Sequence, residues 1–174
     1  TSVVLCDTQP DLAEKINVKL AENVALVAYC SGTQLVHIST DHLFQGDQQN
    51  YTEEFVTAPL NVYGKTKFLA EQRVTSVNPA ALIVRTNFFG WGNLHRKSFS
   101  DWIIDSLRAG QTIKAFNDVY YTPILIDRLA KATHKLVNLD KIRHFPLNSG
   151  EDMFVRSVVL YAVRGRGIRK AAST

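Results

Sequence analysis

The chain has 174 residues, 45% of them hydrophobic, and a formal net charge of +4. That is enough to bury one core and points to a single domain. No apolar run approaches the roughly eighteen residues of a membrane span, no basic-then-apolar leader precedes Ser2, and much of the excess charge clusters at Arg164, Arg166, Arg169 and Lys170 without interleaved aromatic residues, so neither a membrane nor nucleic acid is an expected partner. In chain order, Ser2 to Cys6 (SVVLC) is an unalternating apolar run, the pattern of a strand buried on both faces of a parallel sheet. Thr8, Pro10 and Asp11 supply helix-start chemistry. From Leu12 to Tyr29 a helical stripe runs through Leu12, Ile16, Leu20, Val24 and Val27, with a break near Asn17, and Gly32 ends it.

A strand follows at Gln34 to Thr40, then a long loop, then a helix from about Asn61 to Val77 that Asn78-Pro79 stops. Ala81 to Thr86 reads as a second apolar strand ending in polar residues, followed by the aromatic, glycine-rich loop Asn87 to Gly92. The remaining pattern is a helix over Ser98 to Ala109 with Trp102, Ile103 and Leu107 inward, a short strand near Thr112 to Phe116, a helix over Ile126 to Asn138 and a strand at His144 to Leu147. Alternating strands and helices predict an α/β fold with a mainly parallel sheet and helices on both faces. Cys6 and Cys30 sit in apolar surroundings and read as reduced core thiols of a cytoplasmic protein. His37, His42, His95, His134 and His144 show no ligand spacing, so no metal site is expected.

The stretch Leu35 to Glu71 carries the chemistry. Ser39, Thr40 and Asp41 place hydroxyls and a carboxylate where a strand stops, and open α/β sheets bind ligands at the carboxyl ends of their strands. Tyr63 and Lys67, at i and i+4, share one helix face. An ammonium beside a phenol lowers the phenol's pKa and makes Tyr63 a proton donor to a carbonyl. Taken alone, Tyr-x-x-x-Lys more readily describes a solvated helix face, and Thr40 equally a strand-ending threonine.

Around that pair the text is STDHLFQG, then YTEE, then APLNVYGKTKFLAE. It resembles the extended short-chain dehydrogenase/reductase superfamily, and within it the dTDP-4-dehydrorhamnose reductase branch with its STDYVF-x-G, Y-x-E and P-x-N-x-Y-G-x-[ST]-K pattern, from about Val4 to Gly150. The resemblance implies a Rossmann-like domain over residues 1–150, with parts of a substrate-binding region at 87–125, then a C-terminal helix and basic tail at 151–174. It implies catalytic roles for Thr40, Tyr63 and Lys67, and a proton-relay role for Asn17, which can equally be a buried Asn satisfying backbone. Ser39, Tyr63, Lys67, Arg85, Thr86 and Asn87 match the nicotinamide end of a cofactor site. Asp41, Asn87, Phe88 and Trp91 match the substrate side. His42 stands where Tyr is usual, and dehydratase relatives place a second acid there.

The expected reaction is reduction of a 4-keto nucleotide-sugar by NADPH or NADH. The alternatives are a nucleotide-sugar epimerase or dehydratase, and a non-catalytic regulatory or binding protein on a degenerate reductase scaffold. No G-x-x-G-x-x-G or G-x-G-x-x-G turn occurs in the chain, so the first cofactor-binding strand–helix–strand unit is expected to be absent, the first strand here to match the family's fourth, and the binding of NADP or NAD to be weak or absent. The resemblance also implies a homodimer through helices 12–29 and 61–77, with Val18, Ala25, Val62 and Phe68 as additional apolar residues on them.

Overall fold

A computed structural model describes residues 2–48, 50–93, 95, 97–114, 123–142 and 157–160. Its first element corrects the expected strand: Val3–Thr8 is a helix, α1. Val4 and Leu5 are exposed and only Cys6 of this run is buried, so the segment has no second covered face, which a central strand requires. A short continuous apolar run fits either element. The expected match of Ser2 to Cys6 to the family's fourth strand accordingly fails, since the segment is helical.

Pro10–Glu14 forms α2 with Pro at its start, Lys15–Lys19 widens into a π-helical turn at Asn17, and Leu20–Cys30 continues as α3. Gly32 follows at φ +64°, the left-handed conformation that stops helices. β1 is Val36–Ser39, α4 is Val62–Val77, β2 is Leu82–Thr86 and β3 is Phe88–Phe89. α5 is Phe99–Arg108, β4 is Ile124–Leu125, α6 is Ile126–Ile142 and β5 is Ser157–Leu160.

β1, β2 and β5 form a parallel sheet in that order, with Val36 opposite Leu82 and Ile83 opposite Ser157, while β3 and β4 pair separately. β2 is buried throughout, and successive residues point to opposite layers. Ile83 packs with Ala25, Val74 and Ala81 under α3 and α4. Leu82 and Val84 pack with Ile124, Leu129 and Ala132 under α6. This is the Rossmann-like arrangement of helices on both faces.

Several local expectations change. Ser157–Leu160, expected in a C-terminal helix, is the third strand of the sheet. Trp102 and Leu107, expected inward, are exposed on α5. Cys30 is an exposed thiol, and only Cys6 is a core one. Val18 and Ala25 are buried rather than available to a partner. Thr112 to Lys114 is not a strand; the rest of that expected strand, and the one at His144 to Leu147, lie outside the described residues.

Candidate active site

β1 ends at Ser39, and Thr40 continues in extended backbone before the chain tightens into the 3-10 turn Asp41–Leu43. Threonine suits this junction because its hydroxyl caps the turn. Thr40 Oγ1 accepts from the His42 N–H at 3.2 Å and donates to Asp41 Oδ1 at 3.3 Å. Fully buried Leu43 pins the turn to the core.

The start of α4 lies directly on that turn. Asn61 caps the helix by accepting from the Gly64 N–H at 2.7 Å, and Asp7 Oδ1 accepts from the Val62 N–H at 3.1 Å. A Cβ on Gly64 would sit 2.5 Å from the His42 carbonyl oxygen. Only glycine lets the two backbones approach so closely. Tyr63 is thereby set beside Thr40, and the His42 ring meets it edge-on at 5.6 Å between centroids.

Burial pushes the Tyr63 phenol above its ordinary value, the Thr40 hydroxyl pulls it back, and Asp41 and Cys6 push it up. The expected lowering by Lys67 is corrected: the phenol is held protonated, because desolvation dominates. Lys67 instead donates to the Ile38 carbonyl at 2.7 Å. Burial pulls the Lys67 ammonium down, and Glu71 one turn along holds it up. His37, facing the same cleft, is brought down to about 4 by burial and by the Lys67 charge, so its imidazole is neutral.

Asn17 lies behind this pair. Its Nδ2 donates to Thr66 Oγ1 at 3.0 Å, and the Thr66 hydroxyl donates to the Tyr63 carbonyl at 2.9 Å, so Asn17 reaches the Tyr63 backbone through one intermediary. The Asn87 amide donates to Asp41 Oδ2 at 3.3 Å, which ties the end of β2 to the Thr40 turn. Ser39 Oγ is buried without a partner among the described residues. Arg85 does not face the open side. Its guanidinium forms three hydrogen bonds to the Glu71 carboxylate, at 2.7, 3.1 and 3.2 Å. Phe88 and Trp91 are exposed at and just after β3. The fold therefore gathers Thr40, Asp41, Tyr63 and Asn87 at one corner, puts Lys67 one turn along and Asn17 behind, and spends Arg85 elsewhere.

The family described as the RmlD substrate binding domain matches residues 1–146. The chain belongs to that family. Among its relatives, the dTDP-4-dehydrorhamnose reductase of Salmonella typhimurium is 35% identical over 136 residues, which are 76% of this chain and 44% of the reductase. The beta subunit of methionine adenosyltransferase 2 from Rattus norvegicus is 42% identical over 79 residues, 45% of this chain and 24% of that protein. The solved dTDP-4-dehydrorhamnose reductase of Bacillus anthracis, in complex with NADP, superposes with a TM-score of 0.76 at 27% identity, covering 91% of this chain and 51% of that one. The RmlD-family chain thus spans about half the length of the relatives it matches.

Two residues of the matched stretch contribute to this RmlD-family corner in ways that the sequence pattern alone does not show. Gly64 acts through a close approach to a residue 22 positions earlier, which no helical spacing reveals. Glu71 carries one hint, its i+4 distance from Lys67, but its partner lies on β2.

Proposed function

We propose that the polypeptide carrying this chain reduces a 4-keto nucleotide-sugar with NADPH or NADH, as a dTDP-4-dehydrorhamnose reductase-like enzyme of dTDP-rhamnose biosynthesis in the cytoplasm. One observation carries the reading: Thr40 and Tyr63 are brought side by side at the carboxyl end of β1, with Lys67 one turn further along the same helix. A proton donor has to be protonated before it acts, and burial keeps the Tyr63 phenol in that form. Thr40 offers a second hydroxyl to the same carbonyl oxygen once its proton turns there from Asp41. Negative charge growing on that oxygen is met by both hydroxyls, and Tyr63 gives up its proton to it. Lys67 places a cation one turn away, so the phenolate left behind is formed near a positive charge.

The residues present fit the nicotinamide end of a cofactor. Ser39 holds a buried hydroxyl without a partner among the described residues, and Lys67 lines a cleft of about 240 Å3 beside β1. Ser39, Tyr63, Lys67, Thr86 and Asn87 are the residues that would hold it, and the cofactor when bound supplies the hydride. Arg85 is occupied by Glu71 and leaves that set as a side-chain contact. Asp41, Asn87, Phe88 and Trp91 take the substrate side, with the exposed rings of Phe88 and Trp91 able to stack on a sugar or base. With no glycine-rich turn in its 174 residues, this chain by itself binds the dinucleotide weakly or not at all. A homodimer through helices 12–29 and 61–77 belongs to the same reading, using the exposed Leu12, Ile16, Leu20, Val24 and Val27 in place of buried Val18 and Ala25.

Asp41 is followed by His42 rather than a second acid, which favours a reductase over a dehydratase or epimerase. A second reading, a non-catalytic subunit, draws on the 42% identity to a methionine adenosyltransferase subunit. Assay of a reductase-length polypeptide containing this chain with dTDP-4-keto-6-deoxyhexose separates them. Substrate-dependent consumption of NADPH is expected, and its absence removes the reductase reading.

A further inference from the structure

Tyr63, Lys67 and Glu71 follow one another at i, i+4 and i+8 along one face of α4. The first two belong to the corner described above. Glu71 is buried, and it meets the equally buried Arg85 of β2 through both carboxylate oxygens. The other two ion pairs among the described residues, Lys19–Glu22 and Lys97–Asp105, are exposed. Arg85 also lies over the Phe44 ring at 5.7 Å, and Phe44 directly follows the 3-10 turn that begins after Thr40. One guanidinium therefore links α4, β2 and the Thr40 turn. A buried ion pair is a poor way to gain stability, since well-packed apolar residues of the same volume often serve as well or better.

We propose that Glu71 is a positioning residue: through Arg85 it anchors the Tyr63–Lys67 face of α4 to β2 and the Thr40 turn, and it supplies the counter-charge for the Lys67 ammonium beside β1. This rests on the reductase reading for its purpose, though not for its test. The groups facing Lys67 are few. His37 on β1 is neutral, the Ile38 carbonyl accepts a hydrogen bond from the ammonium, Tyr63 is one turn back, and Glu71 is the acid that holds its charge against desolvation. Arg85 holds the Glu71 carboxylate in place at 2.7 Å.

The test follows the Lys67 ammonium and the Tyr63 ring by NMR in the 174-residue chain with 13C-labelled lysine and tyrosine. Glu71→Gln is expected to move the Lys67 titration to lower pH and to shift the Tyr63 ring signals, and Glu71→Asp to restore most of both. Because Glu71→Gln strands a buried guanidinium and can unfold the chain, Glu71→Met with Arg85→Met is measured alongside. This doubly apolar variant is expected to fold and to show the same lowered Lys67 titration and displaced Tyr63 signals. A folded double variant in which both readouts stay where they are in the parent chain overturns the proposal. Neither readout needs turnover, so failure of the reductase assay and failure of the positioning role are told apart.

Discussion

The helical stretch from Pro10 to Cys30 has two faces of opposite character. Facing inward are Ala13, Asn17, Val18, Ala25 and Ala28, all buried. Facing outward are Leu12, Ile16, Leu20, Val24 and Val27, between 41% and 67% exposed. An amphipathic stripe of large residues ordinarily marks the core face, and here it does not. The small face lets α3 lie close on α4, where Ala70 and Val74 are also fully buried, and it carries the Asn17 amide to Thr66 behind Tyr63. On the large face, Ile16, Leu20 and Val24 border the cleft beside β1. Closeness of approach, rather than hydrophobicity, decided which side supports α4.

Overpacking the inner face breaks the comparison most directly. The leading case is Ala25→Leu, which has no room beside Ala81, Val74 and Ile83 and is expected to cost roughly 1–3 kcal/mol, more if α3 is levered off α4. Urea denaturation against the parent chain reads it.

His37 tests the boundary between the faces. Its folded pKa of about 4 lies below the unfolded value near 6.5, so between those values the unfolded chain binds the extra proton. Its contribution is present above pH 6.5 and is lost as pH falls toward 4, at most on the order of 3 kcal/mol. Stability measured from pH 7 to pH 4 should fall more steeply for the parent than for His37→Asn.

Gly64→Ala sharpens the contrast from the catalytic side. Its methyl would meet the His42 backbone at 2.5 Å, so α4 has to lift off the Thr40 turn, at an expected loss of about 1–3 kcal/mol and with a changed Tyr63 environment in near-UV circular dichroism. The smallest effect belongs to the outer face. Leu20→Gln is expected to change stability by no more than about 0.5 kcal/mol while reducing self-association in light scattering.

Much of the site was legible because its signals are local. Asn61 caps α4, Gly32 stops α3, and the polar end of β1 begins the Thr40 turn, each readable from a few neighbouring residues. The first helix was not, since Ser2 to Cys6 has the same apolar text whether coiled or extended and only its exposure decides. The inward face of α3 was hidden because periodicity reports large residues, whereas the approach of α4 selects small ones. The raised Tyr63 pKa was missed for a similar reason: sequence spacing places Lys67 nearby but does not show the burial that raises the phenol, nor that the ammonium goes to the Ile38 carbonyl. Arg85 reads as a strand-end ligand until Glu71, on another element, claims it.

The central claim is that the Tyr63 phenol, set against Thr40 by the start of α4, delivers the proton in carbonyl reduction. The direct measurement is kcat for NADPH oxidation with dTDP-4-keto-6-deoxyhexose, comparing Tyr63→Phe with the parent in a reductase-length polypeptide. A fall of about 10²–10⁴-fold is expected, the usual contribution of a positioned acid, with the KM for NADPH changed little. A Tyr63→Phe enzyme that keeps the parent kcat would contradict it.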